Sequence, residues 1–168
     1  MPASSDTSAS NDFHSTPLLI GWREWVGLPD LRLRRIKAKI DTGARSSSLH
    51  AFDIETYQRD GEEWVRFSVH PVQGRDDIVV PADLPILERR EIRSSNGEVS
   101  ERIVVRTRLA ISNLARPMDL TLANRDSMGF RMLVGREAIR GHCVVDPGAS
   151  YLMGRRKKRV GTKRAPDH

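Results

Sequence analysis

The chain has 168 residues, a formal net charge of +6 and 38% hydrophobic side chains, enough for one core but not for layers of helix around a large sheet, which excludes a big doubly wound enzyme. Its single cysteine excludes an internal disulfide framework and any cysteine-rich zinc module. The charge is local: seven of the 28 basic residues and one acid follow Met153, leaving 21 basic and 21 acidic side chains in residues 1–153.

Residues 1–16 contain no Lys or Arg and are rich in Ser, Thr, Asn and Asp, so they read as a flexible leader unable to offset the entropy of ordering. They have neither the positive n-region nor the apolar h-region of a signal peptide. No stretch approaches the roughly 18 apolar residues of a membrane span, and a cytoplasmic location without a membrane partner is expected. The folded body is expected over residues 17–153. Its apolar residues come in short alternating runs, and no segment sustains a helical repeat for three turns. Strands are expected at Leu18–Trp25, Leu33–Ile40, Trp64–His70, Ile86–Arg93, Val99–Ala110, Met118–Ala123, Met132–Val134 and Cys143–Val145. Gly27, Pro29, Asp60-Gly61, Gly74, Pro81, Asn96-Gly97, Pro117, Gly129 and Gly141 punctuate them. Asn96-Gly97 predicts a long hairpin around a tight primed turn with a polar tip. Arg136–Arg140 is the best place for a short helix. Such strand spacing argues for an all-β sandwich or barrel. Residues 154–168, a block of like charge, are expected to form a basic flexible tail.

The segment most informative about chemistry is Ile40-Asp41-Thr42-Gly43-Ala44-Arg45, followed by Ser46, Ser47, Ser48 and Leu49. It sets a carboxylate at the end of an alternating strand. Thr42 can hydrogen-bond locally to hold a turn there, and Gly43 allows backbone to approach closely. This arrangement suits an acid–base group facing a cleft; an Asx-type turn at a strand end is the plainer alternative.

Asp41-Thr42-Gly43-Ala44 with its Ser-rich sequel resembles the active-site loop of the retropepsin-like aspartic proteases. Met132-Leu133-Val134-Gly135-Arg136-Glu137-Ala138-Ile139 resembles their second hallmark, and the Asn96-Gly97 hairpin lies between the two, where that family has its flap. Gly21-Trp22-Arg23-Glu24, the Lys39–His50 segment and the Asp146-Pro147 segment together resemble a bacterial group with this fold long labelled ATP-dependent zinc proteases. The resemblance covers about residues 18–153.

The resemblance implies a closed β-barrel of the acid protease fold with one short helix after Gly135-Arg136. It further implies an aspartic peptidase in which two carboxylates share a proton and activate a water. One such motif per chain implies a homodimer, with Asp41 meeting its mate on a twofold axis. Thr42 would brace the loops across the axis, Gly43 keep the water's approach open, Ala44 lie along the substrate backbone, and Gly135 and Arg136 support the loop. Retroviral relatives carry acidic residues where this chain has Arg45 and Ser46, so the usual ion-pair partner of Arg136 is missing. Arg45, Asn96 and Gly97 are the candidate substrate contacts. Asp146-Pro147-Gly148 echoes the first motif but lacks the hydroxyl of Thr42, and reads as a turn leading to a C-terminal interface strand. Members of the group accompany ATP-grasp peptide ligases, which implies a substrate that such ligases make or modify, such as a glutamate-rich peptide. No cofactor is expected.

Two other readings compete. A catalytically silent module of the same fold would bind RNA, the ribosome or an acidic partner through residues 154–168, with steep salt dependence. A zinc hydrolase would have to draw on His14, His50, His70, His142, His168, Cys143 and carboxylates, yet neither HExxH nor paired CxxC spacing is present, and no phosphate loop of Walker type supports ATP dependence. Trp22, Trp25 and Trp64 read as core or interface residues rather than a base-stacking platform.

Overall fold

The computed structural model describes residues 16–93, 96–124 and 129–153. The leader and the basic tail expected from the sequence lie outside the described residues, apart from Thr16. The described residues form ten strands, most of them short runs of alternating apolar and polar residues: β1 Leu18–Leu28, β2 Leu33–Asp41, β3 Ser47–His50, β4 Phe52–Arg59, β5 Glu62–Val69, β6 Val80–Arg93, β7 Val99–Ile111, β8 Leu114–Ala123, β9 Met132–Gly135 and β10 Cys143–Ser150. A single helical turn, α1, follows β9 at Arg136–Ile139.

The strands pair in the order β10-β1-β2-β9-β3-β8-β7-β6-β5-β4, and a further pairing of Gly27 in β1 with Ala110 in β7 joins the ends of a six-stranded ring. That ring is a closed barrel, and the fold is all-β. Residues from every strand of the ring fill its interior, among them Ile36, Leu49, Leu120 and Met132. Each such buried side chain contributes about 1.5–3 kcal/mol relative to exposure.

Two strands arise where the sequence predicts none. Ser47–His50 is polar at its start, but is held between β8 on one side and β9 on the other. Phe52–Arg59 is almost wholly exposed and pairs only with β5, so it lacks the alternation that betrays a strand. The hairpin of β6 and β7 forms, with Arg93 opposite Val99 as its last pair. Residues 94 and 95, beside the expected Asn96-Gly97 turn, lie outside the described residues. Asp146-Pro147-Gly148 lies within β10, where the Gly148 N–H donates to Asp146 Oδ1 at 2.9 Å. β10 runs parallel to β1 of its own chain.

Candidate active site

The loop from Asp41 to Ser46 is shaped by a crossing. β9 lies between β2 and β3, parallel to β2 with Gly135 opposite Asp41, and antiparallel to β3 with Met132 opposite Leu49. The chain leaving β2 at Asp41 must pass the end of β9 before entering β3 at Ser47. Gly135 makes the passage possible: a Cβ there would stand 2.5 Å from the carbonyl carbon and oxygen of Ser46. Its N–H donates to Ser47 Oγ at 3.0 Å.

The first residues of α1 hold the loop. The Arg136 N–H donates to the Ala44 carbonyl at 2.9 Å, and the Glu137 N–H to the Arg45 carbonyl at 3.2 Å. These are N–H groups that a helix start leaves without intrahelical acceptors. The Arg136 Nη1 donates to the Gly43 carbonyl at 3.3 Å, so the loop backbone occupies the guanidinium that has no acidic partner in the adjacent sequence. Within the loop, the Ala44 N–H donates to the Asp41 carbonyl, and the Gly43 N–H to Asp41 Oδ1, each at 3.2 Å.

Asp41 is half-buried, Thr42 and Gly43 are exposed, Ala44 is half-buried and Arg45 is exposed. Asp41 Oδ2 has no hydrogen-bond partner among the described residues. A carboxylate fixed by one oxygen and open at the other can accept a proton or hold a water.

Beside the loop opens a cleft of about 630 Å³, bounded by Arg45, Ser46, Ser47, Glu137 and Ala138 on one side and by β6, β7 and β8 on the other. Four arginines reach it, Arg45, Arg90, Arg106 and Arg116, against the two acids Asp119 and Glu137. Arg90 is paired with Glu88, and Arg106 lies 3.9 Å from Asp119. Among the described residues, Arg45 has no carboxylate partner and the buried Nε of Arg116 has no acceptor. Asp41, Thr42 and Gly43 are not among the residues bounding this cleft. Asn96 and Gly97 are not either; the hairpin contributes Arg90 and Arg106 from its arms. At its exposed end, the Glu98 N–H donates to Asn96 Oδ1 at 3.2 Å and Gly97 adopts φ 84°.

Sequence reasoning passed over two features. Arg90, Arg106 and Arg116 converge with Arg45 only through strand pairing and carry no motif. Glu24 is fully buried, yet accepts from the N–H groups of Gly21 and Leu152 at 2.8 Å and of Met153 at 3.2 Å. An acidic residue set among apolar ones in a strand pattern was its signal. As for the zinc reading, no three His, Cys, Asp or Glu side chains converge among the described residues. His50 is buried against Phe52, and burial pushes the Cys143 thiol above its ordinary value. The three tryptophans are half-buried, Trp22 meeting Phe130 edge-on and Trp25 stacking on Tyr151.

Comparison with known proteins bears on the whole barrel. A protein of Parasynechococcus marenigrum named probable alpha-L-glutamate ligase is 45% identical over 137 residues, covering 82% of this chain and 29% of that protein. One of Shewanella halifaxensis with the same name is 44% identical over 136 residues, covering 81% and 30%. The chain thus spans less than a third of the length of these curated relatives. A crystal structure of a Legionella pneumophila protein of unknown function (DUF785) superposes with a TM-score of 0.70 at 27% identity, over 82% of this chain and 99% of that one. Residues 19–156 match the family described as RimB-like, retropepsin-like aspartic endopeptidase RimB. With the strand order, the loop crossing at Gly135 and this match in hand, the chain belongs to the RimB-like family of retropepsin-like proteins.

Proposed function

We propose that the protein is an aspartic peptidase that works as a homodimer and hydrolyses peptide bonds in acidic peptides. The observation that carries this reading is Asp41 itself, held at the mouth of the loop by the Gly43 N–H, with Oδ2 free of protein partners among the described residues. Two copies brought together about a twofold axis would set two such carboxylates side by side. Like charges so close cannot both ionise cheaply, so the pair holds one proton. The ionised carboxylate takes a proton from water as it attacks the peptide carbonyl, and the protonated one donates to the carbonyl oxygen. Collapse of the tetrahedral intermediate then transfers a proton to the leaving amine, and the pair returns to its starting state. Gly43, exposed and without a side chain, leaves the approach to the water open; Arg136 and Gly135 keep the loop in place.

The acidic substrate is supported by the arginines of the neighbouring cleft, whose planar guanidinium groups suit carboxylates. The relatives named as glutamate ligases support it too, since a peptidase related to them would act on glutamyl peptides. The test is Asp41→Asn in the full chain, assayed on a glutamate-rich peptide with sedimentation run in parallel. Turnover is expected to vanish while the dimer persists; retained turnover overturns the mechanism, and a monomeric wild type that cleaves overturns the shared dyad.

A further inference from the structure

The second half of β2 alternates without a break. Ile36, Ala38 and Ile40 are buried in the core, whereas Lys37, Lys39 and Asp41 turn to the opposite face. Lys39 therefore stands on the same face as Asp41, one pleat away, at roughly 7 Å between Cα atoms by strand geometry. Across the sheet it sits between Arg23 of β1 and Leu133 of β9, while Asp41 sits opposite Gly135.

The cations around Lys39 are committed. Arg23 donates to Ser150 Oγ at 3.1 Å and lies over the rings of Trp22 and Tyr151, at 4.7 and 5.0 Å. The Lys37 ammonium lies over Trp25 and Tyr151, at 5.3 and 5.9 Å. Lys39 is exposed and, among the described residues, has no carboxylate, ring or hydrogen-bond partner. Beside it the half-buried Leu133 offers an apolar surface. An apolar wall topped by an uncommitted ammonium matches the methylenes and carboxylate of a glutamyl side chain.

We propose that Lys39 is a specificity-determining residue that binds an acidic side chain of the substrate next to the scissile bond. This rests on the reading of Asp41 as half of a peptidase dyad, and it adds a contact on β2 to those of the arginine cleft, which Lys39 does not bound. The ammonium would select substrates by charge without touching the reacting atoms, so its removal should act on KM rather than kcat.

The experiment uses the full chain and two synthetic peptides, one glutamate-rich and one with glutamine in place of every glutamate. Lys39→Met keeps the aliphatic stem and removes the charge, and the exposure of the site leaves its thermal unfolding unchanged. It is expected to raise KM for the glutamate peptide by at least about five-fold, with kcat little altered and cleavage of the glutamine peptide unaffected. Lys39→Glu should lower the preference for glutamate over glutamine further. A KM for the glutamate peptide unchanged in both variants, or an equal fall on both peptides, overturns the proposal. If the wild type cleaves and Asp41→Asn does not, such a result removes the role of Lys39 alone. If the wild type cleaves neither peptide, or Asp41→Asn still cleaves, the dyad reading fails and takes this proposal with it.

Discussion

Gly135 faces the backbone of Ser46 so closely that a Cβ would stand 2.5 Å from its carbonyl carbon and oxygen. Backbone, unlike the end of a flexible side chain, cannot swing aside. Gly135→Ala must therefore displace the loop or break the pairing of Gly135 with Asp41. We expect a loss of about 1–3 kcal/mol, as for overpacking in a core, and a melting temperature lower by roughly 5–10 °C at the upper end of that range. Peptide turnover should fall with it, because Asp41 moves. Thermal denaturation checks this, and an unchanged melting temperature would contradict it.

Glu24 gathers three backbone N–H groups from two ends of the chain, those of Gly21, Leu152 and Met153. Glu24→Ala leaves them without an acceptor, that of Gly21 in the interior and those of Leu152 and Met153 partly buried. A cost of about 2–4 kcal/mol is expected, since a stranded buried N–H costs roughly 1–3 kcal/mol and the two partly buried ones less. Glu24→Gln, which retains one side-chain oxygen, should cost less. Urea unfolding of the three proteins orders them wild type, Gln, Ala; any other order shows that packing at this site outweighs its hydrogen bonds.

The carboxylate of Asp30 accepts from the Arg108 guanidinium at 2.7 Å, from the Arg108 N–H at 3.0 Å and from Thr107 Oγ1 at 3.3 Å. The hydrogen bond from the Arg108 side chain holds its pKa below the ordinary 3.8. A pKa depressed by folding contributes stability above the unfolded value and loses it as pH falls through the folded value. At neutral pH, Asp30→Asn should cost about 1 kcal/mol, since the pair is partly solvated. That cost should hold down to pH 3.8 and shrink below it. Stability against pH for both proteins is the measurement; a difference that grows on acidification would reverse the assignment.

Much of the barrel is legible along the chain, and the reason is local. Ile36, Ala38 and Ile40 announce the buried face of β2 by their spacing, and Asn96-Gly97 marks the far end of the β6–β7 hairpin. The failures have local causes too. Ser46-Ser47-Ser48 carries the composition of a loop, and β3 exists there because β8 and β9 flank it. Asp53, the second residue of β4, adopts φ 50°, and the strand exposes most of its side chains, so no buried rhythm marks it.

By itself the sequence determined that this chain makes short strands, that a carboxylate closes the second of them, and that Thr42 and Gly43 follow it. Those properties depend on side-chain chemistry and period-two alternation, which neighbours along the chain carry. Tertiary structure alone decided that β9 would slip between β2 and β3, that Arg136 would spend its guanidinium on the Gly43 carbonyl, and that arginines from β6, β7 and β8 would meet Arg45. Strand register decided as well that Lys39 would stand between Arg23 and Leu133. Such contacts join residues far apart in the chain, and which strand pairs with which depends on the packing of the whole barrel rather than on any local signal.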